Sequence, residues 1–130
     1  MNTEIKVPIS PGELIDKLTS LEIKAANISD AAKLANVNVE LDLLQETWRS
    51  SPHASVDIDA EWQRLREINK KLWDVEDLIR DKERERRFDQ EFIELARAVY
   101  VTNDERAAVK KQINTKLGSR IVEEKSYAKY

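Results

Sequence analysis

The feature that most constrains this chain is a run of apolar residues close to its start. Leu14, Leu18, Leu21, Ala25, Ile28, Ala32, Ala35 and Val39 follow one another in alternating steps of four and three, without a slip. A 3.5-residue repeat is the seam of helices packed side by side, and a strand, whose side chains alternate every second residue, cannot present it on one face. Leu41, Leu44 and Trp48 widen the face further along. The start of the helix is marked by Ser10-Pro11-Gly12-Glu13. There the Ser10 hydroxyl is placed to accept the Glu13 amide and the Glu13 carboxylate to reach back to the Ser10 amide. Pro11 takes the first helical position, where its missing N–H costs nothing. Followed to Arg49, helix one covers residues 10–49, with about 39 residues after the Ser10 cap, or roughly 58 Å. Ser29-Asp30 is a cap signal inside it and marks a kink or a break. Because the stripe keeps its phase across that point, the periodicity favours one bent helix.

Composition supports a helical reading. Of 130 residues, 36% are charged and 41% hydrophobic, and only 2 are Gly and 3 Pro. So few turn formers exclude collagen-like, low-complexity and turn-rich all-β chains. With Cys 0, a disulfide scaffold, thiol catalysis and thiolate metal sites are excluded as well. No apolar run nears the roughly 20 residues that a membrane helix needs. The opening MNTEIKVPIS has no basic stretch followed by an apolar one, so the expected location is the cytoplasm. Basic residues number 22 against 25 acidic ones, a net charge of −3, and the signs are mixed along the chain. That argues against a general nucleic-acid binder, which neutralises phosphates with Lys and Arg.

The rest of the chain divides cleanly. Ile5, Val7 and Ile9 alternate with polar residues and predict a short strand or extended arm over 1–9. Ser50-Ser51-Pro52-His53-Ala54-Ser55 is a loop, and its lone His53 has no partner residues for a metal site. Helix two follows over 57–87 on the stripe Leu65, Ile68, Leu72, Val75 and Ile79. It ends in RDKERERR, an alternating run that marks a solvated helix end. Asp89 is the next cap, with Phe88 and Ile93 spaced for a hydrophobic staple. Helix three covers 89–117 and stops at Gly118, leaving a polar tail over 118–130. The predicted fold is a single all-α domain, an antiparallel three-helix coiled bundle. Leu41, Trp48, Trp62 and Leu78 fall off the main seam and are assigned to the interface of a homodimer.

Helix three breaks its own stripe. Between Val99 and Val109 the core-phase positions hold Thr102, Asn103 and Arg106, polar groups that need partners or water. A hairpin turning at residues 87–88 sets Arg106 level with Asn69, Thr102 with Trp73 and Val99 with Glu76. Asn69, Trp73, Glu76 and Arg80 lie on one side stripe of helix two, and Tyr100 and Asn103 on one of helix three. The first helix should bring Ala32, Ala35 and Asn36 to the same level, where small side chains leave room for the rings. Two readings of this middle layer stay open. It fixes register and partner choice, as a polar residue in a coiled seam does. Alternatively it is a pocket, with Arg106 forked onto a carboxylate or phosphate, Trp73 and Tyr100 stacked on a ring, and Glu76 taking a proton or a sugar hydroxyl.

A second constellation is acidic: Asp74, Asp77 and Asp81, with Glu91 and Glu94 on the next helix. Carboxylates three and four apart on facing helices can hold Mg²⁺. MazG-type nucleotide pyrophosphatases use that device, pairing Glu-x-x-Glu with a downstream Glu-x-x-Asp. Glu91 and Glu94 supply the first half here and the second half is missing, while Arg80, Lys82 and Arg84 would neutralise the patch. No cofactor is expected apart from Mg²⁺ under that alternative. There is neither a Gly-rich phosphate loop nor a Ser-His-Asp set.

The blocks GELIDKLTSLEIK, LWDVEDLIR, VYVTNDERAAVKKQIN and VEEKSYA together resemble a family of small uncharacterised bacterial proteins, a domain of unknown function. The resemblance spans nearly the whole chain and implies no activity. It does imply that the polar blocks belong to a type. These are Glu13, Asp16 and Lys17, then Trp73, Asp74, Glu76, Asp77 and Arg80, then Tyr100, Thr102, Asn103, Asp104 and Arg106, then Glu123 to Tyr127. Similar chains often carry Asp-Pro where this one has Asp30-Ala31, and Pro opens helices, so the resemblance points to four helices rather than three. The function expected is a non-catalytic interaction or assembly module, self-associating or meeting another protein. The alternative is a helical enzyme or small-molecule binder.

Overall fold

The computed structural model describes residues 3–130. Four helices follow in order: α1 over Pro11–Asn27, α2 over Ala31–Arg49, α3 over Asp59–Glu85 and α4 over Gln90–Lys116. No strand occurs among the described residues, so the all-α class holds while the count of three is corrected to four. The extra helix comes from a true break at Ser29-Asp30. Ile28 is extended (φ −83°, ψ 126°) and closes α1, and Asp30 Oδ1 accepts the Lys33 amide at 2.9 Å to open α2. The chain then doubles back, bringing Glu40 of α2 into one surface groove with Glu13 and Lys17 of α1.

The stripe holds its phase across this break because α2 is apolar on two faces. Val37 is buried, Leu34 half-buried, and Leu41, Leu44 and Trp48 pack against the core. Ala32, Ala35, Val39 and Leu43 lie two residues out of step with that set, which puts them on the opposite side of the helix. All four are exposed. The outer set continues the spacing of α1, and the inner set does the packing.

α1 is the hub. It lies against each of the other helices, whereas the α2 backbone comes close to α1 alone among the described helices. It crosses the α3/α4 hairpin obliquely: Gly12 meets Asn114 of α4, and Glu22 meets Trp62 and Arg66 of α3, near the same open end. The in-line, up-down-up arrangement is therefore corrected to an antiparallel hairpin crossed by α1. Ile15, Leu18, Leu65, Val109 and Ile113 form the heart of the core at 0% exposure. Trp48 and Trp62 close its edge, ring edge to ring face with centroids 5.8 Å apart. The Trp62 Nε1–H donates to Glu22 Oε1 at 3.0 Å. Leu41, Trp48 and Trp62 are thus half-buried against this chain's own core. Leu78 alone of that group is exposed.

The hairpin of α3 and α4 has the expected register, with Arg64 opposite Gln112, Asn69 opposite Arg106 and Lys82 opposite Glu91. It turns without glycine. Arg86 adopts the left-handed conformation (φ 55°, ψ 37°) that usually selects glycine after a helix. Lys82 clasps the turn: its stem is buried and its Nζ reaches Asp89 and Glu91, both at 3.0 Å. Asp89 caps α4 by accepting the Phe92 amide at 3.0 Å. The staple forms differently from the expectation, since the Phe88 ring meets Phe92 at 5.1 Å while Ile93 stays exposed.

At the other ends, Ser10 accepts the Glu13 amide at 3.1 Å. The reciprocal half of that cap is not what Glu13 does, because its carboxylate turns to Lys110 and Lys17. Gly118 (φ 66°) stops α4, with the Ser119 amide returning to the Asn114 carbonyl at 2.8 Å. Residues 3–9 are extended without a strand partner, with Ile5 and Val7 bare and Ile9 against the core. Residues 1–2 of the expected arm lie outside the described residues.

Candidate functional site

The polar layer assembles where α1 crosses the hairpin. Asn69 is buried, and its amide nitrogen donates to Asp16 Oδ1 at 2.8 Å and to Thr19 Oγ1 at 2.9 Å. Thr19 in turn donates to the Ile15 carbonyl at 2.9 Å, a back-bond that keeps its hydroxyl satisfied inside the helix. The Asn69 oxygen accepts from Arg106 Nη1 at 3.4 Å, and Arg106 Nη2 donates to Asn103 Oδ1 at 2.8 Å. Two neutral amide oxygens therefore hold the guanidinium. Among the described residues no carboxylate stands within ion-pair distance of it. Thr102 is fully covered, and among the described residues its hydroxyl has no hydrogen-bond partner.

Asn69, Trp73, Glu76, Arg80, Asn103 and Arg106 all line one groove of about 520 Å³. Its remaining wall is α1, through Ser20, Ile23 and Lys24. That corrects the third side of the layer: Ala32, Ala35 and Asn36 are exposed on α2, because the break at Ser29-Asp30 carries them away. Glu76 faces Arg80 at 3.3 Å rather than Arg106. Tyr100 joins a neighbouring cavity of about 790 Å³ between α4 and residues 125–130, and that cavity shares Asn103 and Arg106 with the groove. Arg106 thus stands at the divide between the two.

Beside this layer lies a charged cluster that composition and stripe spacing did not single out as a site. Lys110 Nζ contacts Glu13, Asp16 at 3.6 Å and Glu123 at 3.1 Å, tying α1, α4 and the tail together. Burial alone would push the Lys110 ammonium down, but Glu13 and Glu123 outweigh it and hold the lysine above its usual value. Burial alone would raise Glu13, and its bond from Lys110 holds the carboxyl below the usual range instead. The sequence signal was present: Glu13, Asp16, Ser20 and Lys24 repeat at three and four residues beside the apolar stripe of α1.

The acidic residues of α3 are engaged locally. Asp74 faces Lys70 and Asp81 faces Arg84, each at 2.8 Å, while Asp77 lines the groove. Among the described residues, no three His, Cys, Asp or Glu side chains gather around a common cation position. No described helix is long and apolar enough to cross a membrane.

The chain matches the family described as "Family of unknown function (DUF6165)" over residues 5–130. No curated protein and no solved structure matches it.

Proposed function

This chain belongs to that family of unknown function, and we propose that it is a non-catalytic assembly module that pairs with a second copy of itself through the outer face of α2. The carrying observation is the bare stripe Ala32, Ala35, Val39 and Leu43, with Val39 at 62% and Leu43 at 48% exposure. A contiguous apolar helix face open to water is costly for a monomer and favours burial against a partner. A second copy fits this face for reasons of charge. The first half of α2 carries Lys33 and no acid, and the second half carries Asp42 and Glu46 against Arg49. An antiparallel pair sets the basic half of one helix beside the acidic half of the other, and a two-fold axis repeats the contact. The alanines permit close approach of the two helices. A bacterial setting belongs to the same proposal and rests on the resemblance of the sequence blocks.

Light scattering tests it. The native chain at tens of micromolar should have the mass of a dimer, and Val39→Glu with Leu43→Glu should halve it. A native chain of monomer mass sinks the proposal.

A second reading is supported by Arg106, an arginine held by Asn69 and Asn103 in an open groove without a carboxylate of its own. A guanidinium so placed is ready to fork onto an anion. In this reading the polar layer binds an anionic small molecule, and Arg106→Met removes the binding.

A further inference from the structure

The tail after Gly118 does not leave the molecule. Glu123 reaches Lys110 at 3.1 Å and Glu124 reaches Lys111 at 4.0 Å. At the far end the Tyr130 hydroxyl donates to Asp104 Oδ2 at 2.7 Å, and its ring stands edge to face against Tyr100 with centroids 5.2 Å apart. The segment is therefore pinned to α4 at two places, and the space under it is the cavity of about 790 Å³. Arg106, Lys125 and Lys129 contribute cations to its wall, and Tyr100, Tyr127 and Tyr130 contribute rings. Among the described residues, none of these three cations is within ion-pair distance of a carboxylate. The acidic side chain on the wall, that of Asp104, is already bonded by Tyr130.

We propose that α4 and the C-terminal segment enclose a binding site for a phosphomonoester that carries a planar ring. This deepens the anion-binding reading of Arg106 and rests on it. Three unpaired cations call for more negative charge than a single carboxylate supplies, and a phosphomonoester carries close to −2 at neutral pH. Its oxygens suit the guanidinium fork of Arg106 together with two ammonium groups. The tyrosines supply faces and edges for a flat ring, and Tyr127 and Tyr130, at 81% and 80% exposure, gain cover from one. Arg106 lines the cavity as well as the groove, and Asn103, which lines both too, accepts from its Nη2.

Isothermal titration of the full chain with the four common ribonucleoside monophosphates tests this, with adenosine, ribose 5-phosphate and inorganic phosphate as the ring-only and phosphate-only arms. At least one nucleotide should bind ten-fold or more tighter than every arm. Arg106→Met should abolish that binding, and Lys125→Ala with Lys129→Ala should weaken it ten-fold or more. These two lysines lie in the tail, outside any helix, so their loss does not threaten the fold. If nucleotide binding survives the double lysine change but not Arg106→Met, the anion sits in the α1 groove: the anion-binding reading stands and this site falls. If no nucleotide binds, this site falls, and the anion-binding reading stands only if inorganic phosphate or ribose 5-phosphate binds and Arg106→Met removes that binding; if Arg106→Met leaves all binding intact, both fall.

Discussion

The backbone N–H of Gly12 donates to the side-chain oxygen of Asn114 at 2.7 Å, joining the first turn of α1 to the last turns of α4 across 102 positions of sequence. That N–H is one of the four that a helix start leaves without an internal partner, and here it is buried. The approach is so close that a Cβ at position 12 would stand 2.5 Å from the Lys110 carbonyl oxygen and 2.9 Å from Asn114 Oδ1. A backbone carbonyl cannot rotate away as a side chain does, so α1 and α4 must separate.

Gly12→Ala is therefore expected to destabilise the fold by about 2 kcal/mol, in the range of overpacked cores. Asn114→Ala should cost about 1–3 kcal/mol by leaving a buried amide unpaired. Urea unfolding midpoints measure both. A Gly12→Ala chain as stable as the native one contradicts the close approach.

Arg86 offers the opposite case. It sits at φ 55° with a full side chain, where left-handed backbone costs about 1–2 kcal/mol for most residues. Its guanidinium has no role in the clasp, which Lys82 makes with Asp89 and Glu91. Arg86→Gly is expected to raise stability by about 1 kcal/mol. Arg87→Gly, one residue on, should not. Thermal unfolding of the two variants separates them.

The Glu13–Lys110 contact makes stability depend on pH in a defined direction. The folded pKa of Glu13 lies below its unfolded value, so the contribution is present above the ordinary glutamate range and is lost as pH falls through the folded pKa. Lys110 is raised, so its share is present below the ordinary lysine value and is lost as alkaline pH passes the folded pKa. Glu13→Gln should flatten the loss of stability below about pH 4 while leaving the mid-range plateau flat. Denaturation midpoints from pH 2 to 7 read this out. An acid limb of unchanged slope in Glu13→Gln contradicts the assignment.

Much of the architecture was legible because the signals are local. Ser10, Asp89 and Gly118 cap as their types require, and the α3/α4 register follows from the length of the turn. That register brought Asn69 and Arg106 together. The break at Ser29-Asp30 was obscured by an accident of α2, which is apolar on both sides; a phase argument cannot tell which side packs when both continue the repeat. The oblique path of α1 could not be read either, because it depends on Gly12 meeting Asn114, and on Trp62 and Arg66 meeting Glu22. Those pairings are far apart in sequence and carry no spacing signal. Once α1 replaces α2 beside the hairpin, Asp16, Thr19 and Ser20 take the place expected for Ala32, Ala35 and Asn36.

In the proposed dimer, two copies of α2 lie against each other on the outer stripe. The natural chain contains no cysteine, so a single introduced thiol reports the contact without ambiguity. The measurement is disulfide formation at low micromolar protein in Val39→Cys, compared with Lys71→Cys on the exposed side of α3. Rapid, near-complete covalent dimer at Val39 with a largely monomeric Lys71 variant is the predicted result. Equal, slow cross-linking of the two would contradict it.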